Sequence, residues 1–123
     1  MRKLRFFLPA VLWVLVITLL SLIPTDNLKE FSVEILSFDK IAHFFIYAVL
    51  SFFIAWGIKK YHMYKNMSLK LLVLIFLITS LYGIGIEYVQ DSISTGRHFE
   101  YYDIIANISG SFIGLLFFIR KKR

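Results

Sequence analysis

Residues 103–119 read DIIANISGSFIGLLFFI, and this stretch decides the class of protein to which the chain belongs. Its second half is a run of bulky apolar side chains, as in a helix that crosses a membrane. Its first half carries Asp103, Asn107, Ser109 and Ser111. Polar groups inside hydrocarbon are costly and usually face other protein groups or a water-filled cavity. The stretch therefore predicts a transmembrane helix whose polar half faces partners elsewhere in the chain.

The composition of the whole chain supports a membrane location. Of the 123 residues, 59% are hydrophobic and 18% are aromatic, whereas soluble domains average about 45–50% apolar residues. A chain with so few polar residues cannot cover its own surface in water. There is no cysteine, which excludes disulfides, thiolate catalysis and cysteine metal sites. The length is that of one domain, so we expect residues 1–123 to form a single transmembrane domain.

Four apolar stretches have or approach the length that a transmembrane helix needs, about 20 residues across ~30 Å of hydrocarbon. We predict an all-α, four-helix transmembrane bundle with helices at about 6–23, 41–58, 69–90 and 103–119. The first stretch follows a basic N-terminus and could also be a signal peptide. Its apolar run is longer than the usual ~7–15 residues and no Ala-x-Ala-like cleavage site follows, so we expect a retained helix.

The basic residues predict the orientation of the bundle, because Lys and Arg are enriched in short cytoplasmic loops. With the N-terminus inside, all eight acidic residues fall on the outer side or at the outer helix ends. The same topology places most of the 14 basic residues on the inner side: Arg2, Lys3, Arg5, Lys59, Lys60, Lys65, Lys70, Arg120, Lys121, Lys122 and Arg123. We therefore expect a multi-pass membrane protein with both termini in the cytoplasm. The net charge of +6 is not accompanied by a nucleic-acid-binding motif, so we expect no nucleic-acid partner.

Two of the predicted helices begin with similar sequences. Residues 39–43 read DKIAH and residues 103–107 read DIIAN. The similarity is compatible with two repeated helical hairpins related by an axis along the membrane normal. Asp39 and Asp103 could simply cap their helices, because a carboxylate accepts hydrogen bonds from first-turn N–H groups. Capping would leave His43 and Asn107 unexplained, since they lie about 6 Å deeper along each helix.

Polar side chains form a stripe at the outer end of three predicted helices. At about 100° per residue, each set lies on one face of its helix: Asp39, His43 and Tyr47 on the second, Gly83, Glu87 and Gln90 on the third, and Asp103, Asn107, Gly110 and Gly114 on the fourth. Arg97, in the outer loop, is the natural cationic partner for Glu87 or Asp103. All three stripes lie at one membrane level, so we predict that they meet in an outward-facing polar pocket.

These residues have a structural and a functional interpretation. Gly110 and Gly114 form a Gly-x-x-x-Gly spacing that favours close helix packing, and Gly83 fits the same role. The polar residues could be a network that only holds helices together, or they could bind a ligand. His43, with Glu87 or Asp103 to orient it, would supply a general base. The chain has no metal-site spacing and no glycine-rich phosphate loop, so we expect no metal and no cofactor.

The same residues carry a resemblance to a known family. The run DKIAHFFIYAVL at 39–50, Gly83, the EYVQ at 87–90 and several later positions closely resemble the VanZ-like family of small bacterial membrane proteins; the later positions are Arg97, Asp103, Asn107, Gly110 and Gly114. The resemblance covers about residues 21–114. It implies a bundle of membrane helices and, for the founding member, low-level teicoplanin resistance. It marks as binding residues Asp39, His43, Tyr47, Glu87, Gln90, Arg97, Asp103 and Asn107. The outer loop, 91–98, is shorter and less charged than the family pattern suggests.

We expect the outer pocket to bind or act on an envelope molecule with a polar head and a lipid tail. A lipid-linked cell-wall intermediate, a phospholipid of the membrane or a lipoglycopeptide antibiotic would each suit a half-buried polar site. Two other functions stay open: a hydrolase or transferase acting on a lipid head group, and a purely structural partner subunit. A channel or transporter is disfavoured, because no polar stripe continues to the inner side of any helix.

Overall fold

The computed structural model describes residues 2–23, 33–63, 65–93 and 98–121, and gives only the backbone for 33–38. Within these ranges the chain is all-helical. A short 3-10 helix, Leu4–Phe7, leads into four α-helices: α1, Leu8–Ser21; α2, Val33–His62; α3, Leu69–Ser92; and α4, Tyr101–Arg120. The predicted fold class is confirmed, because four segments are long and apolar enough to span a membrane: Leu4–Ser21, Asp39–His62, Leu69–Ser92 and Tyr101–Arg120.

Consecutive helices run in opposite directions. Trp13, in the middle of α1, donates a hydrogen bond to the carbonyl oxygen of Ile46 at 2.9 Å. Phe7, earlier in the chain, packs on the ring of Tyr61, which is later in α2. Early residues of one helix thus meet late residues of the next, which is the antiparallel arrangement of an up-down bundle with short connections.

The most extensive helix contact joins α2 and α4, which are parallel. A Cβ added at Gly110 would overlap the carbonyl oxygen of Phe44, and a Cβ at Gly114 would overlap that of Ala48. Both pairs are spaced four residues apart on their helices, so the two helices point the same way in a fixed register. The glycines allow this approach because they have no side chain to separate the backbones.

The surface of the bundle is apolar over much of its length. Leu19, Phe45, Leu81 and Phe117 are each more than 60% exposed, and a soluble protein would bury most side chains of this kind. The tightly packed interior includes two clusters, one around Ile17, Tyr47 and Leu50 and one around Ala55, Ile75, Leu115 and Phe118. The exposed band is therefore the surface that faces lipid.

The structure corrects the predicted start of α2. The helix begins at Val33 rather than near residue 41 and has 30 residues, a length of roughly 45 Å. The prediction placed the start near residue 41 because it relied on hydrophobicity, and residues 34–40 include the charged Glu34, Asp39 and Lys40. A helix forms its own backbone hydrogen bonds both in lipid and in water. The polar first turns of α2 can therefore extend the helix beyond the ~30 Å of hydrocarbon.

The observed starts of α2 and α4 show that neither Asp39 nor Asp103 occupies an N-cap position. Asp39 lies almost two turns inside α2. In α4 the cap position is held by Glu100, whose side chain makes no capping hydrogen bond, while Asp103 is in the first turn. A different role is therefore needed for Asp39, whereas Asp103 still lies where the helix dipole favours a carboxylate.

The two ends of the bundle differ in charge. One end, called the polar end below, contains Ser21, Asp39, Gln90 and Asp103 and is formed by the last turns of α1 and α3 and the α2 and α4 turns beside them. The opposite end, called the basic end, contains the lysines at the end of α2, the start of α3 and the end of α4: Lys59, Lys60, Lys70 and Lys121.

Candidate functional site

The structure brings the three predicted polar stripes together at the polar end. The seven predicted binding residues within the described ranges all lie there: Asp39, His43 and Tyr47 from α2, Glu87 and Gln90 from α3, and Asp103 and Asn107 from α4. Six of them are buried, and Asp39 is partly exposed. Arg97, predicted as their cationic partner, lies outside the described residues.

His43 is the centre of this cluster. Its Nδ1 lies 2.8 Å from Oδ1 of Asn107, so in the neutral imidazole Nδ1–H donates and Asn107 accepts. Oε1 of Glu87 is 3.7 Å from the same nitrogen, and Oδ2 of Asp39 is 3.8 Å from Nε2. The contact with Asn107 places the lone pair of a neutral His43 on Nε2, toward Asp39.

The hydrogen bond between His43 and Asn107 joins corresponding positions of the two similar helix beginnings. His43 is the fifth residue of DKIAH and Asn107 the fifth residue of DIIAN. Because α2 and α4 are parallel, equivalent residues meet at the same depth. The similarity thus has a structural consequence, a direct contact between the two helices that carry it.

Lys40 and Glu100 belong to the cluster, although the sequence did not assign them to it. Nζ of Lys40 lies 2.8 Å from Oε2 of Glu100 and 3.6 Å from Oδ1 of Asp103. Lys40 therefore supplies positive charge beside Asp103, the role predicted for Arg97. Lys40 directly follows Asp39 in the run that resembles the family, and this was the one sign in the sequence that it belongs to the site. The position of Lys40 on its helical face does not show which residue of a neighbouring helix it contacts.

Gln90 and Tyr47 extend the cluster toward α1 and the bundle centre. Nε2 of Gln90 donates to the carbonyl oxygen of Ser21 at 3.2 Å, which ties α3 to α1. Tyr47 is 1% exposed. Beside it, Gly83 has room for little more than hydrogen, since an added Cβ would lie 3.0 Å from Cε1 of Tyr47 and 3.1 Å from Nδ2 of Asn107.

Some buried polar atoms of the cluster have no hydrogen-bond partner within the part of the chain that the structure describes. They include the hydroxyl of Tyr47, Nδ2 of Asn107 and Oδ1 of Asp103. Leaving such a group unsatisfied costs about 1–3 kcal/mol. The cluster therefore retains donors and acceptors with which a polar ligand could bond.

Three residues of the cluster could also supply metal ligands. One ligand atom each from Asp39, His43 and Asp103 lie within 4.8 Å of one another, and carboxylate oxygens with an imidazole nitrogen suit several divalent cations. The Lys40 ammonium, 3.6 Å from Asp103, already provides a positive charge at one of these ligands. The absence of a metal, expected from sequence spacing, stays a prediction.

These features define a class of protein, a multi-pass helical membrane protein with a buried cluster of ionisable side chains at one end of its bundle. The chain belongs to the VanZ/LLP1 family, whose model matches residues 2–122. The match confirms the resemblance seen in the sequence and extends it over essentially the whole chain. Comparisons with curated proteins and with solved structures found no match to this chain.

Proposed function

We propose that this protein lies in the bacterial plasma membrane with its polar end outside, and that the polar cluster binds the head group of a lipid-tailed envelope molecule. The observation that carries the proposal is the burial of four polar side chains, centred on His43, at one end of the bundle. His43 lies 2.8 Å from Asn107, 3.7 Å from Glu87 and within 4.8 Å of Asp103. Ionisable side chains within membrane spans are costly and mark functional sites far more often than surface charges do.

The alternative of a purely structural network fits the cluster less well. Exchanging a buried ion pair for packed apolar residues is often neutral or stabilising, so helix packing alone does not require these side chains. The glycine contacts between α2 and α4 already provide packing that needs no charge. The unsatisfied atoms of Tyr47 and Asn107 add a cost that a ligand would offset.

The head group is expected to be polar or anionic and to enter from the outer membrane interface. Lys40 and Arg97 would attract a phosphate or carboxylate, while Asp39 and Asn107 would accept and donate hydrogen bonds to hydroxyl and amide groups. A lipid-linked cell-wall intermediate, a phospholipid of the membrane and a lipoglycopeptide each present such groups beside an acyl or prenyl chain. Because teicoplanin is a lipoglycopeptide, we also propose for this chain the low-level teicoplanin resistance that the resemblance implies for the founding member.

Antibiotic sensitivity tests this proposal directly. Expression of the wild-type chain in a susceptible bacterium is expected to raise the inhibitory concentration of teicoplanin and leave that of vancomycin unchanged. Glu87→Gln and Asp103→Asn, which keep side-chain size and remove the charge, should return the teicoplanin value to that of the empty vector. Asp91→Asn, an exposed carboxylate at the same end, is the matched control and should behave as wild type at equal membrane abundance. An unchanged teicoplanin value for the wild type would contradict a role in resistance, and full activity of both variants would exclude the cluster.

The second candidate function, a hydrolase or transferase acting on a lipid head group, is favoured by the geometry at His43. Asn107 holds Nδ1–H, which leaves the Nε2 lone pair available to take a proton from water or from a substrate hydroxyl. The sequence had assigned the orienting role to Glu87 or Asp103. In the structure the shortest contact to the imidazole is that of Asn107.

Turnover by the purified protein separates catalysis from binding. The probes are fluorescent phosphatidylglycerol and a polyprenyl pyrophosphate-linked sugar in mixed micelles. If His43 is a general base, His43→Gln should lower the turnover rate by about 100-fold or more, while His98→Gln, an exposed histidine near the same end, should not change it. Failure to convert either probe would contradict the enzymatic interpretation.

A further inference from the structure

A second site lies at the basic end, away from the polar cluster. A cavity of about 480 Å³ opens between the start of α1 and the last turns of α2 and α4. Its volume falls within the ~300–1,000 Å³ of small-molecule sites. The lining consists of apolar side chains, most of them aromatic, and three lysines: Pro9, Phe52, Phe53, Trp56, Met63 and Phe118, with Lys59, Lys60 and Lys121.

The lysines of this cavity are held close to its aromatic wall. Nζ of Lys59 lies 5.9 Å from the ring centre of Phe118, and Nζ of Lys121 lies 5.8 Å from that of Phe52. Both distances are within the range of cation–π attraction, about 6 Å. The two ammonium groups are thus fixed beside apolar surface, one from α2 and one from α4.

Among the side chains that the structure describes, no acidic group lies near enough to neutralise these lysines. The acidic side chains that the structure describes all lie at the polar end: Asp39, Glu87, Asp91, Glu100 and Asp103. The cavity therefore has a cationic rim and an aromatic wall, which is the complement of a molecule with an anionic head and an apolar tail. Basic pockets between membrane helices bind anionic lipid head groups in this way.

We propose that this cavity binds one anionic phospholipid of the membrane. The phosphate contacts Lys59, Lys60 and Lys121, and the first part of an acyl chain packs against Phe52 and Trp56. The rings and lysines come from two helices, so the bound lipid bridges α2 and α4 at the end opposite the polar cluster. The site is independent of the function proposed for that cluster.

Trp56 provides a direct measurement, because the chain contains only two tryptophans. The substitution Trp13→Phe leaves Trp56 as the single tryptophan. It keeps an aromatic ring beside Phe53, whose ring centre lies 6.2 Å from that of Trp13 in the wild type. The full-length variant is placed in liposomes that contain phosphatidylglycerol or phosphatidylcholine, brominated near the head-group end of one acyl chain. Bromine quenches tryptophan fluorescence on contact, so quenching reports which lipid occupies the cavity.

The expected result is more than about tenfold stronger association of the phosphatidylglycerol with Trp56 than of the phosphatidylcholine at equal mole fraction, because three lysines act on the same phosphate. Lys59→Gln and Lys121→Gln should each lower this preference by roughly fivefold, the effect of about one lysine near an anionic membrane surface. Lys65→Gln and Lys70→Gln are the matched controls, since both are exposed at the basic end and do not line the cavity. They should leave the preference unchanged.

Four outcomes would overturn the proposal. Equal quenching by the two lipids would exclude charge selectivity, and equal losses in all four lysine variants would reduce the effect to diffuse surface charge. Weak quenching by both lipids would show the groove covered by protein, such as a second copy. Release of the quenching by millimolar inorganic phosphate would identify a soluble phosphorylated ligand in place of a lipid.

Discussion

Replacing Gly110 by alanine is expected to lower the free energy of unfolding by about 3 kcal/mol or more, at or above the upper end of overpacking effects. The added methyl would coincide with the carbonyl oxygen of Phe44, and a backbone atom cannot move aside as a flexible side chain can. Helices α2 and α4 would have to separate along their whole contact. Titration of the purified protein from mild detergent into a denaturing detergent measures the change.

Gly85 is the matched control for this substitution. It lies in the middle of a membrane-spanning helix, as Gly110 does, but an added Cβ there would meet nothing within 4 Å. Gly85→Ala should therefore be neutral or stabilising by up to ~1 kcal/mol, because alanine is the better helix former. Equal stability of the two variants would contradict the close backbone contact between α2 and α4.

The contact at Gly110 also shows why the site could be predicted only in part. Helical periodicity identifies the face on which His43, Glu87 and Asn107 lie, and the topology places those faces at one end. It does not give the rotation or the relative depth of neighbouring helices. For α2 and α4, the rotation and relative depth are set by the contacts of Gly110 and Gly114 with the facing helix. The sequence of one helix does not show which residues of the other it contacts.

The pairing of individual side chains depends on that register. The sequence predicted Arg97, which lies outside the described residues, as the cation beside Glu87 or Asp103, and it did not predict Lys40, which lies 3.6 Å from Asp103. It predicted a carboxylate to orient His43, whereas the closest group is the Asn107 amide. A change of one residue in helix register would exchange these neighbours, so periodicity alone cannot distinguish them.

Helix boundaries were predicted well where the apolar run and the helix begin at the same residue. The start of α3 at Leu69 is one case, since Ser68 caps it by accepting a hydrogen bond from the backbone N–H of Leu71 at 3.3 Å. The start of α2 is the opposite case. Its first turns are more polar, so the hydrophobic pattern begins later than the helix does.

The second large effect is expected at the hydrogen bond between His43 and Asn107. Asn107→Leu leaves Nδ1 of a buried imidazole without its closest partner, and His43→Phe leaves Oδ1 of Asn107 without its hydrogen-bond donor. Each single variant should lose about 1–3 kcal/mol of unfolding free energy, the cost of an unsatisfied buried polar group. Both should also lose any teicoplanin resistance that the wild type confers.

The double variant, His43→Phe with Asn107→Leu, discriminates between a structural and a functional cluster. Because both polar partners are gone together, the double variant should lose less unfolding free energy than the sum of the two single losses. The difference should be about 0.5–2 kcal/mol, the range of hydrogen-bond couplings in membrane bundles. A network that only held the helices together would regain activity along with stability. A binding site would regain stability alone, because the groups that contact the head group are missing. We expect the double variant to recover part of the lost stability and none of the resistance. Recovery of both would assign His43 and Asn107 to packing.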